Sequence, residues 1–526
     1  MSLRKRKRSL LWPTVQAPNR AGSEASRPGF VREPAQSAAP AARSVDRRAG
    51  SHRRQGGAGR HHVLSDLVAN ARLYEYETRI KDRFDSIEPV LRDLARLQSQ
   101  SDFVAQAQAL VRQKLGVALP ERLLGDSWIG GLDIRRLYGH CLFEVYRSFA
   151  EEFYERNPLA SSEDDRFVER LRGWGYHAVG VAPCADGRLA HVVSYVLRLP
   201  WSQVRRKAHA GVLFDVSESV RNWVFVEHNR YRTGLPVPAD EPTRYLKIAV
   251  YHFSSSDPQH QGCAAHGSDD VAAATAARDR LDDFVEAIEN RFCCGATVDT
   301  LLVGLNTDDD SMRVHFESPQ GGIDLDLFID TGFLFDLTLG MDEDTARHTI
   351  RQQLLSVATS NGGKAPAGGK LELVEWLIVN NLSQVDYVRS YHDGRYADIG
   401  HAERFIGVGA GFGEVQLRNL TYYAFLDTLE EGVADVDVGV KIFSGLNVRR
   451  GLPIPVVVRG DFDGRVPGSR DRAQTRVRRI ESAMHARYAD LSRDGLFVTR
   501  CTLKDVSADK APIMLDEPDS GNLGAH

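Results

Sequence analysis

The stretch Tyr245-Leu-Lys-Ile-Ala-Val-Tyr-His-Phe253 predicts a buried β-strand, because β-branched and aromatic residues fill it and neither glycine nor proline interrupts it. After a polar loop, Asp269 to Phe292 has the composition of a long helix, with Ser268 placed to act as its N-cap. Val298 to Leu305 predicts a further strand. A strand, a helix and a strand in this order form the crossover unit of α/β and α+β proteins, which is the fold class that we predict.

A shorter strand precedes this unit. Tyr176 to Val181 is a strand-like run that ends at Pro183-Cys184. Because this run and the later strands alternate with helical segments, we assign residues 158–400 to one α/β domain.

Helices are predicted further upstream, over residues 63–157. Between Ile80 and Leu97, apolar residues recur at spacings of three and four, which places them on one buried stripe. Pro89 interrupts the stripe and indicates a helix start or a kink. A second amphipathic run covers Leu137 to Phe153. This region carries no recognisable chemistry, so we predict a helical N-terminal domain with a packing or assembly role.

The C-terminal part, residues 401–526, repeats the order of elements. Phe405-Ile-Gly-Val-Gly-Ala-Gly-Phe-Gly413 resembles Ala178-Val-Gly-Val-Ala-Pro-Cys-Ala-Asp186 in pattern. A strand, a helix and a strand are then predicted at Leu452–Val458, Asp471–Tyr488 and Leu496–Leu503. The position of Cys184 falls near Gly411 in this copy, and its second strand ends with Arg459 and Asp461. We therefore predict a degenerate duplicate of the preceding domain that lacks a metal site.

The first 60 residues carry 14 Lys and Arg against 3 Asp and Glu, a net charge of +11, whereas the rest of the chain carries −15. Too few large apolar residues are present to offset chain entropy, so we predict residues 1–62 to be a disordered basic tail. Such a tail suits binding to acidic protein surfaces. A functionless tail, a nucleic-acid arm and an organellar transit peptide are the alternatives, and we expect no nucleic-acid partner.

The composition favours a soluble protein of a reducing compartment. The chain has 6 cysteines, too sparse and too irregular for a disulfide framework. No run approaches the roughly 18–20 apolar residues of a spanning helix, so no membrane partner is expected. The basic run Arg4 to Arg8 is followed by too few apolar residues for a secretory signal.

Three residues form a candidate zinc site: Cys184, His252 and Cys263. The first two lie at the C-terminal ends of predicted strands, the sheet edge at which ligands bind, and can converge although they are 68 positions apart. The polar loop from Ser254 to Gly262 can fold back and bring in the third, just before a helix whose N-terminus favours the thiolate. Three ligands leave a fourth position open, as in catalytic zinc sites, and we predict one zinc ion per chain.

A carboxylate and a guanidinium follow the first candidate ligand. Asp186 lies two residues after Cys184, and the two side chains share one face if the strand geometry continues. Its carboxylate can accept a hydrogen bond from the water or hydroxide at the open position and orient it. Arg188 can hold Asp186 in a bidentate pair, which keeps the carboxylate ionised and away from the metal. We predict that these two residues form the catalytic pair.

The order Cys-x-Asp-x-Arg, then His, then Cys resembles the motif of β-class carbonic anhydrases. Ten residues separate His252 from Cys263, more than in ordinary members of that class. The long loop, the basic tail, the helical domain and the C-terminal copy together resemble the carboxysome shell carbonic anhydrase family of α-carboxysomes. The resemblance covers residues 63–526 in domain order.

The resemblance implies a zinc enzyme that interconverts CO2 and bicarbonate inside the carboxysome and supplies CO2 to RuBisCO. It implies Cys184, His252 and Cys263 as zinc ligands, and this sequence does not depart from the family pattern there. The catalytic pair would be Asp186 with Arg188. The resemblance also implies a homo-oligomer and a tail that binds RuBisCO or shell proteins.

Proton transfer and rival functions remain open at this point. His260 and His266 flank Cys263 and are candidates for a proton shuttle by proximity, or else ordinary polar loop residues.

Among the rival functions, a structural zinc would recruit one of these two histidines as a fourth ligand. A zinc deaminase requires a second cysteine where Gly187 stands, together with a His-x-Glu element that is missing. A Cys/His hydrolase leaves the Asp-Arg pair unexplained. The tail and helical domain also suit a non-catalytic, zinc-stabilised scaffold of a protein shell.

Overall fold

The computed structural model describes residues 61–125, 131–156, 164–232, 243–289, 296–363, 365–366, 368–426, 429–508 and 510–515. The predicted tail therefore lies outside the described residues, except for His61 and His62. Cys293 and Cys294 also lie outside the described residues. Among the described residues, no helix is both long enough and apolar enough to cross a bilayer.

The described chain is already folded at residue 61. His62 is buried, its Nε2 lies 2.8 Å from Thr338 Oγ1, and its backbone N–H donates to Asp386 Oδ1 at 3.3 Å. His61 and His62, the last two residues that we assigned to the tail, thus already make tertiary contacts. Tertiary partners more than 270 positions away decide this, and local composition does not reveal them.

The N-terminal region is helical, as predicted. Its helices are α1 (Leu67–Asp85), α2 (Ile87–Leu97), α3 (Phe103–Leu115), α4 (Glu121–Gly125) and α5 (Ile134–Glu155). The apolar stripe from Ile80 to Leu94 is buried. Pro89 marks a helix start, because it lies in the first turn of α2, where its missing N–H removes no helical hydrogen bond.

The next domain contains a six-stranded sheet. Its elements are α6 (Asp164–Gly173), β1 (Ala178–Pro183), β2 (Val204–Arg206), α7 (Val216–Arg232), β3 (Thr243–Phe253), α8 (Asp270–Glu289), β4 (Ala296–Asn306), β5 (Met312–Glu317), β6 (Ile323–Asp330), α9 (Thr331–Thr338), α10 (Glu343–Ala358) and α11 (Gly369–Tyr391). The strand order is β2-β1-β3-β4-β5-β6. The first four strands are parallel and the last two are antiparallel. The predicted strand-helix-strand unit is confirmed as β3-α8-β4.

The predicted cap of the long helix is wrong. Ser268 has a left-handed backbone, with φ of 68°. Asp269 provides the cap instead, because its Oδ1 accepts a hydrogen bond from the backbone N–H of Ala272 at 2.9 Å. Serine and aspartate are both good N-caps, so composition alone could not separate two adjacent candidates.

A second sheet follows, with the same arrangement. Its elements are β7 (Phe405–Gly409), β8 (Thr421–Phe425), α12 (Leu429–Leu446), β9 (Ile454–Phe462), α13 (Ser469–Arg487), α14 (Ala489–Arg493), β10 (Phe497–Asp505) and β11 (Ile513–Met514). Strands β8-β7-β9-β10 are parallel, as are β2-β1-β3-β4, and an antiparallel strand follows in both sheets. The helix α13 connects β9 to β10 as α8 connects β3 to β4. This shared topology confirms the predicted duplication.

The two sheets belong to different hydrophobic cores. One core surrounds the first sheet and includes buried side chains of β1, β3, β4, α8 and α11. The other joins the N-terminal helices to the second sheet, so that residues such as Tyr146 of α5 and Phe405 of β7 share one interior. The N-terminal helices therefore pack against the C-terminal copy.

An ion-pair cluster occupies the carboxyl end of β9. The buried Arg459 donates from Nη1 to both carboxylate oxygens of Glu414, at 3.0 and 2.7 Å, and from Nε to Asp461 at 2.8 Å. Tyr146 and Tyr154 also donate to Glu414, at 2.7 and 2.9 Å. Salt-bridged polar groups thus occupy the end of the strand that corresponds to β3.

Replacing this arginine should destabilise the fold. Arg459→Ala leaves the buried Glu414 carboxylate without its cation, which is expected to lower the free energy of unfolding by about 3–5 kcal/mol. Urea denaturation measures the effect. Arg465→Ala is the control, because Arg465 is exposed and pairs with Asp463 at the surface. Equal unfolding midpoints for the two variants would contradict the assignment of Arg459 as a buried structural cation.

Candidate metal centre

Three elements bring the predicted ligands together at one sheet edge. Cys184 directly follows β1, His252 is the penultimate residue of β3, and Cys263 follows the loop 254–262. Because β1 and β3 are parallel neighbours, their carboxyl ends meet at the same edge. The two sulfur atoms are 3.9 Å apart, and a ring nitrogen of His252 lies within 4.8 Å of both.

The donor set fits a zinc ion. His252 is fully buried, and neither of its ring nitrogens has a hydrogen-bond partner, although a buried polar atom without a partner is costly. Two thiolates bound to one tetrahedral zinc at about 2.3 Å would be about 3.8 Å apart, close to the distance between Cys184 and Cys263. Thiolate and imidazole are the ligands that zinc prefers in proteins.

The two thiols have opposite pKa shifts. A hydrogen bond shared with Cys263, together with burial, raises the pKa of Cys184 well above its usual range. The same contact lowers the pKa of Cys263, helped by the backbone N–H groups of Ala265 and His266. These N–H groups belong to the short turn Ala264–His266 and not to the long helix that we predicted, since α8 begins only at Asp270. A divalent cation beside both sulfurs would favour the thiolate form of each.

The Asp186 carboxylate is held by Arg188 in a bidentate pair. Arg188 donates from Nε to Oδ1 at 2.9 Å and from Nη2 to Oδ2 at 2.7 Å, and its backbone N–H donates to Oδ1 at 2.9 Å. Burial raises the pKa of Asp186, but Arg188, His401 and His252 outweigh burial and hold it well below its usual range. The carboxylate is therefore ionised although it is buried.

The reason for the position of Asp186 differs from our prediction. Strand β1 ends at Pro183, so strand alternation does not extend to residue 186. Asp186 instead caps the tight turn Gly187–Leu189, and its Oδ2 lies 3.6 Å from Nε2 of His252. A turn, and not an extended strand, brings the carboxylate to the edge of the candidate metal centre.

Arg188 also fixes the loop that ends at Cys263. Its Nη1 donates to the carbonyl oxygens of Gln261 and of Ile399, the latter at 3.1 Å. Its Nη2 also donates to the carbonyl oxygen of Gly262 at 3.1 Å. All five N–H groups of this fully buried guanidinium are thus used, two of them on the segment directly before Cys263.

The C-terminal copy stabilises the motif loop, which is the segment 184–188 that carries the Cys-x-Asp-x-Arg motif. The backbone N–H of Gly187 donates to Glu403 Oε1 at 3.1 Å, and its carbonyl oxygen accepts from the backbone N–H of Asn419 at 2.8 Å. The backbone N–H of Tyr423 donates to the carbonyl oxygen of Ala185 at 3.1 Å. A side chain at position 187 would collide with Glu403, since a Cβ there would lie 2.3 Å from its Cγ. The motif loop therefore requires glycine at this position.

His401 and Glu403 are site residues that sequence reasoning missed. Nδ1 of His401 lies 3.9 Å from Asp186 Oδ2 and 3.0 Å from Glu403 Oε1, and the three side chains form a second close group of metal-binding type. Burial lowers the pKa of His401, but Asp186 and Glu403 outweigh burial and raise it. These residues follow the motif by more than 210 positions, so no local spacing could have indicated them.

The two predicted shuttle candidates lie in different surroundings. The side chain of His260 is 74% exposed, and its Nδ1 lies 2.8 Å from Asp257 in the same loop. His266 contacts the carbonyl oxygen of Gly211 through Nε2 at 3.0 Å, and the backbone N–H of Gly211 donates to Cys184 Sγ at 3.3 Å. By contrast with these two candidates, Nδ1 of His401 lies 3.9 Å from Asp186 Oδ2.

Comparison with known proteins places all three parts of the chain in one family. Three family models match: the N-terminal domain of carboxysome shell carbonic anhydrase over residues 62–154, its catalytic domain over 166–401 and its C-terminal domain over 402–517. These ranges contain all the candidate site residues described above.

Curated relatives agree with this assignment. Carboxysome shell carbonic anhydrase of Hydrogenovibrio crunogenus is 54% identical over 455 residues, which cover 85% of this chain and 85% of the relative. Those of Prochlorococcus marinus strain MIT 9313 and Halothiobacillus neapolitanus are 50% and 44% identical, covering 85% and 84% of this chain and 87% and 88% of the relatives. The chain therefore belongs to the carboxysome shell carbonic anhydrase family.

Proposed function

We propose that this protein is a zinc carbonic anhydrase that interconverts CO2 and bicarbonate, with one zinc ion held by Cys184, His252 and Cys263. One observation carries the proposal: a fully buried imidazole without hydrogen-bond partners lies beside two thiols, next to a carboxylate that an arginine holds. Family membership supports the activity independently. Among the described residues, no fourth protein donor joins this cluster, which favours a catalytic over a structural metal.

Asp186 orients the reacting water in this proposal. A bound zinc would act as a Lewis acid and lower the pKa of a water molecule at its open position. The ionised Asp186 can only accept hydrogen bonds, so it fixes the direction of the O–H bond and turns a lone pair toward CO2. Arg188 occupies both carboxylate oxygens and thereby keeps Asp186 out of the set of ligands.

His401 provides a path for the proton that each hydration cycle releases. Its side chain is 24% exposed, so it connects the buried Asp186 to solvent. Asp186 and Glu403 favour the protonated imidazole, which allows His401 to take up a proton and release it to buffer. The direction of net turnover depends on the concentrations of CO2 and bicarbonate and not on these residues.

The domain plan assigns a task to each part. We propose residues 63–157 as the helical domain, 158–400 as the catalytic domain and 401–526 as a metal-free copy that completes the site with Glu403, Asn419 and Tyr423. The two copies would act as the two halves of a pseudo-dimer.

The chain acts in the carboxysome in association with its shell, as the names of its relatives state for them. There it would supply CO2 to RuBisCO, assemble as a homo-oligomer and use its basic tail to bind RuBisCO or shell proteins.

Loss of one thiolate should remove metal and activity together. Cys263→Ser is expected to reduce bound zinc to less than about a tenth of an ion per chain. Loss of a residue that only hydrogen-bonds to a ligand typically lowers metal affinity about 10–100-fold, and this change removes a ligand itself. Metal analysis and stopped-flow CO2 hydration measure both quantities. Cys141→Ala is the control, since this cysteine is buried in α5 away from the cluster. Full hydration activity in zinc-free Cys263→Ser protein would contradict the proposal.

Loss of the carboxylate charge should separate metal binding from turnover. Asp186→Asn is expected to keep zinc while kcat falls by about 100-fold or more, because the amide places a donor where an acceptor is needed. The matched control is Asp463→Asn, since Asp463-Gly-Arg465 forms the same bidentate pair at the surface, with distances of 2.9 and 2.8 Å. Unchanged kcat in the zinc-loaded Asp186→Asn variant would exclude the role assigned to Asp186.

Removal of the proposed proton carrier should make turnover depend on buffer. His401→Ala is expected to lower kcat about 10-fold or more in dilute buffer, with little change in kcat/KM, because proton release and not the attack on CO2 becomes limiting. Concentrated imidazole should restore the rate. His260→Ala is the control, and equal losses in both variants, or no rescue by imidazole, would contradict the assignment.

A further inference from the structure

The loop 254–262 decides where one of the metal-binding cysteines lies. It begins two residues after His252 and ends directly before Cys263, so its conformation determines the distance between the two ligands. Its centre is exposed, whereas Ser254 at its start and Gly262 at its end are buried. A polar loop of this length has many conformations unless its ends are held.

The start of the loop is held by the turn that follows β4. Asp308 accepts hydrogen bonds at both carboxylate oxygens: from Ser254 Oγ at 2.9 Å, from Ser255 Oγ at 3.1 Å and from the backbone N–H of Ser256 at 2.7 Å. Asn306 adds two contacts, since its Oδ1 accepts from the backbone N–H of Ser255 at 3.3 Å and its Nδ2 donates to Ser255 Oγ at 3.1 Å.

The holding residues are themselves fixed by the fold. Asp308 is 2% exposed, and its carbonyl oxygen accepts from the backbone N–H of Tyr396 at 2.8 Å. The intervening Thr307 binds the carbonyl oxygen of Phe253 through its N–H, at 2.9 Å, and through its hydroxyl, at 3.2 Å. Burial raises the pKa of Asp308, but the hydrogen bonds from Ser256 and Ser254 outweigh burial and lower it. The carboxylate is therefore an ionised acceptor aimed at the three consecutive serines.

We infer that Asp308, assisted by Asn306, is a positioning residue that places Cys263 for metal binding before the metal arrives. The inference rests on the zinc site of the proposed function and extends it to the opposite end of the loop. Arg188 donates hydrogen bonds to the carbonyl oxygens of Gln261 and Gly262 at the end of the loop. Asp308 accepts hydrogen bonds from residues 254–256 at its start, so both ends of the loop are restrained. With both ends fixed, little chain entropy remains to be lost when the metal binds.

Loss of the contacts between Asp308 and the loop should accelerate the release of zinc from the site. Asp308→Asn keeps the shape of the side chain but replaces one acceptor by a donor that faces the donors of Ser255 and Ser256. Zinc release from the full-length holoprotein into excess chromogenic chelator should then be at least about 10-fold faster, within the range typical of residues that orient metal ligands. Hydrogen exchange of residues 254–262 should accelerate in the same variant.

A matched control is the next residue. Asp309→Asn makes the same change of charge in the same turn, but Asp309 bonds to Ser311 and not to the loop, so zinc release should stay at the wild-type rate. If Asp308→Asn does not fold, Ser255→Ala tests the same contacts from the loop side and should accelerate release by about 2–10-fold.

The outcomes separate this inference from the proposed function. Wild-type protein that binds no zinc would overturn both. If the wild type binds zinc and Asp308→Asn, or Ser255→Ala in its place, releases it at the rate of Asp309→Asn, the positioning role of Asp308 is wrong and the zinc site stands. Faster release confined to the Asp308 and Ser255 variants supports the inference.

Discussion

The buried contact between Arg188 and Asp186 is the interaction on which the site depends. A charge in the interior is stable only when it is paired and fully hydrogen-bonded, and Arg188 meets this condition with all five N–H groups. Its acceptors belong to three separate segments: the motif turn, the loop before Cys263 and the segment before His401. One guanidinium therefore helps to position the carboxylate, one candidate metal-binding thiol and the candidate proton carrier.

The duplication explains how one chain can build such a site. Two sheets of the same topology meet so that the second copy strengthens the motif loop of the first, through Glu403 and through the backbone of Asn419 and Tyr423. The second copy carries a buried ion-pair cluster around Arg459 at the end of its own central strand. Residues of the second copy contact the motif loop of the neighbouring copy and contribute to the core shared with the N-terminal helices.

Local features of the fold were predictable from the sequence, and distant ones were not. The strands, the long helices and the duplication follow from periodicity and composition, which short segments carry by themselves. The pairing of Asp186 with Arg188 is also local, because Asp463 and Arg465 adopt the same geometry in an exposed turn. Burial distinguishes the two pairs, and the segments that contact the buried Arg188 lie 73 to 211 positions away in the sequence. His401, Glu403 and Asp308 escaped the sequence analysis for the same reason, since their partners become neighbours only in the folded chain.

The central claim is that two thiolates and one imidazole bind a zinc ion while Asp186 stays outside its set of ligands. Zinc K-edge X-ray absorption of the purified full-length protein tests this most directly. The account predicts two sulfur scatterers at about 2.3 Å, one histidine nitrogen at about 2.0–2.1 Å and one further light atom in four-coordinate zinc. A spectrum with any other number of sulfur neighbours, or one that shows a second histidine in the fourth position, would contradict it.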